Sequence, residues 1–239
     1  FHARVASTQE IVRAAAQNGT AEGLAVVAGQ QTAGRGRATR TWWSPAGGGL
    51  YLSLLLRPNL PAARIAWVTM ALSLGAVEAI GQCCGLPVDI KWPNDLQWQG
   101  RKLAGVLAEG AFAGNRLDYV AAGIGLNLAV DFSEQPELAA IAVSLHEAAS
   151  RPVDPALLLA ALLNHTEHYY HLLQAGHSPL PAWKERLHTL GHAVTAFTAD
   201  GETFTGVACD VEPDGALRIE LPQGGYRVVH AGDVSVRSV

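Results

Sequence analysis

Cysteine is scarce in this chain. Its 239 residues include three cysteines, two of them adjacent at Cys83-Cys84, with no framework spacing. That excludes a disulfide-stapled secreted scaffold and points to a reducing, cytoplasmic setting. Charge is scarce too, at 16% of residues, with a net charge of −4 at pH 7. That balance gives no general pull toward nucleic acid. Low charge beside 49% hydrophobic residues excludes a disordered chain. The longest uncharged apolar run near the middle, Ile65–Val77, is too short to span a bilayer and reads as a buried helix. No signal peptide, internal repeat or low-complexity segment is visible. Two phosphate-binding fingerprints are also missing. There is no GxxxxGK[ST], and no GxGxxG opens a helix in a βαβ unit.

What is present is local. Gln31-Thr32-Ala33-Gly34-Arg35-Gly36-Arg37 follows the apolar run Leu24–Ala28 and leads into Trp42-Trp43-Ser44-Pro45. Glycine lets a backbone pass close to a ligand, and arginines two apart add forked, permanently charged donors. Such a loop suits phosphate or carboxylate. Lys91-Trp92-Pro93-Asn94-Asp95 is a second unusual segment, with Arg101-Lys102-Leu103-Ala104-Gly105 just after it. Asn94 and Asp95 lie at a strand end, where a carboxylate can help hold Mg²⁺; the plain alternative is a β-turn. Lys102 opens an apolar strand and either snorkels or points its charge at a reacting anion. Gly123-Ile124-Gly125-Leu126-Asn127 ends another strand, where glycine marks a bulge or a close ligand. Together these segments suggest a site handling two anionic groups.

The pattern of elements predicts α+β with a mixed sheet. Expected strands are His2–Val5, Leu24–Gln30, Leu50–Leu56, Val88–Lys91, Leu96–Trp98, Leu103–Glu109 and Leu117–Asn127. Expected helices are Gln9–Gln17 with Ser7 as N-cap, Ala62–Cys84, Pro155–Leu173 and Ala182–Leu187. Residues 31–48 form a long glycine-rich loop, a length that is usually functional or disordered. Beyond about Leu190 come five short strands, Ala193–Thr198, Thr203–Val211, Ala216–Leu221, Tyr226–Val229 and Val234–Arg237. Asp200-Gly201, Asp214-Gly215 and Gly224-Gly225 turns divide them and suggest a small barrel. The domain break falls near Gly191, giving domains 1–190 and 191–239. His165, His168 and His171 recur on one helix without an accompanying metal motif, so they read as a polar face.

Taken in order, the motifs resemble the class I bacterial biotin–protein ligases, the biotin–[acetyl-CoA-carboxylase] ligases. The resemblance runs over nearly the whole chain. It begins at Ser7-Thr8-Gln9 and passes through the GRGR loop, Trp42…Ser44-Pro45 and Leu50-Tyr51-Leu52-Ser53. It continues with KWPND, RKLAG and Gly125-Leu126-Asn127. It implies a mixed-sheet catalytic domain of the biotin/lipoate ligase type, akin to class II synthetases, with a small C-terminal SH3-like β-barrel. By the same resemblance, biotin is held by Ser7, Thr8, Gln9, Gln31, Arg35, Gly36, Arg37 and Lys102. Gln9 stands where members usually carry Asn. The ATP and adenylate contacts fall on Arg37, Arg40, Trp42, Lys91, Asn94 and Asn127. Mg²⁺ falls on Asp95 and Asn127, and catalysis on Lys102, Arg37 and Asp95.

The implied chemistry joins biotin and ATP into biotinyl-5′-AMP, then moves biotin to a lysine of the biotin carboxyl carrier protein. The implied partners are biotin, ATP and that carrier, without DNA or membrane, and members dimerise through a sheet edge. Regulatory members carry an N-terminal DNA-binding module. This chain begins a few residues before Ser7, so a monofunctional ligase is expected. The C-terminal barrel is expected to serve ATP or carrier binding and not biotin binding. Two alternatives stand beside this reading: a lipoate ligase or octanoyltransferase of the same fold, and a non-catalytic biotin-binding regulator.

Overall fold

A computed structural model describes residues 1–198, 201–230 and 232–236. The first helix, α1 (Thr8–Gln17), starts after Ser7, whose extended backbone fits an N-cap although its hydroxyl makes no capping bond. Strands β1 (Ala25–Ala28) and β2 (Gly49–Leu56) follow, separated by the long loop. A 3-10 turn at Ala62–Arg64 leads into α2 (Ala66–Cys84), which stops at Gly85 in the left-handed region (φ 70°). Then come β3 (Asp89–Lys91), β4 (Asp95–Trp98), β5 (Arg101–Ala113) and β6 (Arg116–Asn127). The long helix α5 (Pro155–Gln174) is capped by Asp154, whose carboxylate accepts from the Ala156 and Leu157 amides at 2.8 and 3.3 Å.

Two short helices, α3 (Pro136–Ala139) and α4 (Leu145–Ala149), were not expected. The second had a visible signal in Ser144-x-x-Glu147, and Ser144 Oγ accepts from the Glu147 amide at 3.3 Å. Helix α6 (Leu180–Glu185) closes the first part.

The six strands form one sheet in the order β1-β2-β6-β5-β4-β3, and every ladder is antiparallel. Parallel contact is confined to isolated bridges such as Ile90–Leu187. The expected strand at His2–Val5 is only two such bridges, to Ala28 and Gln31, because this largely exposed segment meets the sheet edge at its two ends alone. Alternation along β2 and β6 gives the sheet two faces. Leu52, Leu54, Val120, Ala122, Ile124 and Leu126 point to α2, and α5 packs on the far side of that helix. Helix α2 is apolar almost all round because it is sandwiched, which also explains a composition long and apolar enough for a membrane span. The opposite face carries Leu55 and Ala121 under α1, and then Ser53, Gly123 and Gly125.

The C-terminal part contains β7 (Ala193–Thr198), β8 (Thr203–Val211), β9 (Leu217–Glu220), β10 (Tyr226–Val229) and β11 (Gly232–Val236). They pair in the order β10-β9-β8-β7-β11. Among the described residues no ladder joins β10 to β11, so the expected closed barrel is an open sheet. It is nonetheless strongly curled. Five flat strands would set the edges about 19 Å apart, whereas Val229 and Gly232 are linked by a chain reaching at most about 11 Å. A bulge between Ala208 and Asp210 bends β8. In the expected Asp200-Gly201 turn and Val234–Arg237 strand, Asp200 and Arg237 lie outside the described residues.

One hydrophobic core runs through both parts, from Leu52, Trp67 and Ile124 to Val194, Ala208 and Ile219. Trp67 Nε1 donates to Pro213 O at 2.8 Å, and Trp92 Nε1 donates to Gly215 O at 2.9 Å. Lys184 and Asp210 form an ion pair across the same junction.

Candidate functional site

A cleft opens on the sheet face opposite α2, where α1 ends its cover. Ser53, Gly105, Gly123 and Gly125 lie on its floor. These glycines are needed for space. A Cβ on Gly123 would come 2.9 Å from Gln9 Oε1, and one on Gly125 would come 2.5 Å from Trp42 Cε2.

The first turn of α1 forms the inner wall. Gln31 Oε1 accepts from the Thr8 amide at 2.9 Å and from Thr8 Oγ1 at 3.2 Å. Thr8 Oγ1 lies 2.8 Å from Ser53 Oγ. Gln31 Nε2 donates to Ser44 Oγ at 3.0 Å, and Ser44 donates to Trp42 O. These bonds explain how loop residues become part of a buried polar wall. Tyr51 holds the far end of the loop by donating to Pro45 O at 3.0 Å. Burial pushes the Tyr51 phenol well above its ordinary value, so it remains a neutral donor.

The glycine–arginine loop folds as a tight turn over the outer wall. Gly36 N donates to Arg40 O at 2.8 Å, Trp42 N to Gly34 O at 2.9 Å, and Ala38 has a φ of 53°. Arg37 and Arg40 line the cleft. Arg35 is pinned by Glu109 Oε1 at 2.7 Å. Trp42 lies over Gly125, with Lys102 Nζ 5.2 Å from its ring centre. The ammonium of Lys102 also pairs with Asp95 Oδ1 at 2.7 Å. Strand pairing accounts for that meeting, since β4 and β5 run side by side as an antiparallel hairpin. The Trp92-Pro93 peptide is cis, and Asn94 Nδ2 donates to Val106 O at 2.6 Å.

Thr8, Gln9, Gln31, Arg35, Gly36, Arg37, Arg40, Trp42, Asn94, Asp95 and Lys102 therefore meet in one cleft. Three expected residues do not line it. Ser7 is buried with its hydroxyl unpartnered, and Lys91 lies at the end of β3. Asn127 donates to Lys102 O and Val143 O at 3.3 Å each, tying β6 to the start of β5. Sequence reasoning assigned no site role to Glu109, Ser53 or Thr41, whereas the Gly123 floor is the close approach that glycine in that strand suggested. Glu109 left one signal, an acid at the end of an apolar strand. Among the described residues no group of three His, Cys, Asp or Glu side chains could hold a metal. A second cavity shares Gly36, Arg37 and Asn94 with the cleft and reaches Asp214, Gly215 and His230.

Residues 1–127 match the Biotin/lipoate A/B protein ligase family, and residues 189–237 match the Biotin protein ligase C terminal domain. The chain is 34% identical over 239 residues to the bifunctional ligase/repressor BirA of Bacillus subtilis, covering 99% of this chain and 73% of that protein. It is 34% identical over 215 residues to the biotin–[acetyl-CoA-carboxylase] ligase of Paracoccus denitrificans, covering 87% and 88%. The solved biotin protein ligase of Aquifex aeolicus in complex with biotin and ATP superimposes with a TM-score of 0.82 at 28% identity, covering 100% of this chain and 98% of that one.

Proposed function

The chain belongs to the Biotin/lipoate A/B protein ligase family, and on that premise we propose that it activates biotin with ATP and transfers it to a lysine of the biotin carboxyl carrier protein of acetyl-CoA carboxylase. The observation that carries this reading is the division of the cleft. Its inner wall is polar but uncharged, formed by Thr8, Gln9, Gln31 and Ser53, and its outer wall carries Arg37, Arg40 and Lys102. A neutral hydrogen-bonding head with an anionic tail fits that division.

In the first step a biotin carboxylate oxygen bonds to the α-phosphorus of ATP, and the bond to the β-phosphate oxygen breaks, releasing pyrophosphate. In the second the lysine nitrogen bonds to the acyl carbon, AMP leaves and the amine loses a proton. Two like charges about 4 Å apart repel by about 4 kcal/mol at an effective dielectric of about 20. Arg37, Arg40 and Lys102 offset that repulsion, and Lys102 and Arg37 stabilise charge growing on the α-phosphate. Closing the arginine loop over the cleft keeps water from the adenylate.

Asp95 offers the one carboxylate on the cleft lining. One carboxylate plus substrate phosphates is an ordinary Mg²⁺ arrangement, and the ion would neutralise phosphate charge. Asn127 is not among the residues lining the cleft, and its amide donates to two backbone carbonyls, so we assign it to holding the site and not to the metal. The second cavity supports a role for the C-terminal sheet in ATP or carrier binding, through Asp214, Gly215 and His230.

The test is ATP–pyrophosphate exchange with biotin, with lipoate or with no acid, in the presence of Mg²⁺. Exchange with biotin alone is the expected result. Exchange with lipoate would move the assignment to lipoate ligation. No exchange in folded protein would leave a binding module or an octanoyltransferase.

A further inference from the structure

Glu109 lies outside every motif that led to the cleft, yet it joins the cleft's two walls. One carboxylate oxygen, Oε1, accepts from Arg35 Nη2 at 2.7 Å. The other, Oε2, accepts from Gln9 Nε2 at 3.3 Å. That amide nitrogen faces two further acceptors, Ala121 O at 3.2 Å and Leu107 O at 3.4 Å. An end of an amide surrounded by three acceptors must be the NH₂ end. The oxygen is thereby turned the other way, against Gly123, where an added methyl would come 2.9 Å from it. Gln9 is 4% exposed, and its Oε1 has no hydrogen-bond partner. Gln9, Leu107 and Gly123 all line the cleft.

A buried acceptor left bare is costly. The geometry points to Glu109 as a positioning residue: it locks the Gln9 amide with Oε1 presented to a ligand N–H, and with its other oxygen holds the arginine loop over the same cleft. The inference rests on the proposed biotin reading for the identity of the ligand, whose ureido ring supplies N–H donors. It adds that head-group recognition and loop placement are coupled through one carboxylate. A ligand of similar shape without the N–H leaves Oε1 unpaired, so discrimination belongs to the amide's orientation and not only to the cleft's size.

The experiment uses Glu109→Gln in the full chain. The replacement keeps the side chain's shape but sets a second NH₂ or a turned amide beside Gln9, and it removes the negative charge that pairs with Arg35. Thermal unfolding first establishes that the variant is folded. Two readouts follow. The first is affinity for biotin and for biotin methylated on either ureido nitrogen. The wild type should lose about 30-fold on methylation of one nitrogen. Glu109→Gln should bind biotin at least about tenfold more weakly and show a ratio collapsed toward one. In exchange kinetics this should appear as a raised KM for biotin together with a lower kcat, because the loosened loop carries Arg37. The second readout needs no biotin: tryptic cleavage after Arg35, Arg37 and Arg40 in the ligand-free protein should be several-fold faster in the variant. Unchanged biotin discrimination in Glu109→Gln, or unchanged loop cleavage, overturns the coupling. A wild type that binds no biotin sinks the ligase reading instead, and the cleavage arm still decides whether Glu109 holds the loop.

Discussion

Replacing Gly125 by alanine adds one methyl group in the middle of the site. The new carbon would lie 2.5 Å from Trp42 Cε2 and 2.9 Å from Trp42 Cδ1. Carbon atoms want about 3.5–4.0 Å, so the indole and the strand must separate by about 1 Å or slightly more. Gly125 is paired on both sides, to Tyr51 of β2 and Gly105 of β5. A central strand held by two ladders moves less readily than a half-buried loop residue, so Trp42 lifts. Overpacking costs about 1–3 kcal/mol in a rigid core. Here the displaced ring borders an open cleft, so about 1 kcal/mol is expected, or a Tm lower by about 2–4 °C for a chain of this size.

The functional effect of Gly125→Ala should be far larger than its effect on stability. Trp42 is the ring beneath which Lys102 is held, and a misplacement of about 1 Å near a reacting centre can cost about 10²-fold. The assay pairs thermal unfolding with biotin-dependent pyrophosphate exchange. Exchange within a few-fold of wild type, or a Tm fall beyond about 10 °C, would refute the reasoning. The first would mean Trp42 is not needed where it lies. The second would mean the strand yields instead of the ring.

The same one-carbon change in α2 should act on stability alone, with opposite signs at two positions. At Gly75 the new methyl meets Thr166 of α5 at 2.6–2.9 Å, so Gly75→Ala should destabilise by about 1–3 kcal/mol despite better helix propensity. At Gly81 it meets nothing within 4 Å, so Gly81→Ala should stabilise by about 0.5–1 kcal/mol; chemical denaturation of both checks the signs. Trp92→Phe removes the donor to Gly215 O in a buried site and should cost about 2 kcal/mol. Unfolding should remain one transition, and two separate transitions would contradict a core shared by both parts. The Lys184 ammonium, then the Val211 amide, hold the Asp210 carboxyl below its ordinary value against an opposing desolvation effect. Its stabilising contribution is therefore full above about pH 4 and disappears as pH falls through the folded value. The stability gap between wild type and Asp210→Asn should shrink on acidification below about pH 4, and a gap constant from pH 6 to pH 3 would exclude this pairing as its source.

Much of the architecture was legible because it rests on local rules. The apolar runs and the Ser7 N-cap marked elements that the structure contains. So did the turns between the C-terminal strands. The loop and strand motifs at Gln31–Arg37, Lys91–Asp95 and Arg101–Gly105 carry their chemistry in their residue types and order. Those motifs named most of the charged residues that line the cleft. Where reading along the chain fell short, the missing information was long-range. The strands pair without regular parallel ladders, and the C-terminal sheet curls without closing, because both depend on which edges meet. Gly191 marks a change of composition but not of packing, since Trp67 and Trp92 reach across it.

Residue type and order by themselves pointed to a site for two anionic groups near a glycine–arginine loop, because charge and backbone freedom are properties of single residues. Only the tertiary structure decided that Asn127 braces strands instead of lining the cleft, that Asp95 meets Lys102, and that Glu109 spans from Arg35 to Gln9. Hydrogen bonds act over about 3 Å, and the one from Gln9 to Glu109 joins residues 100 positions apart.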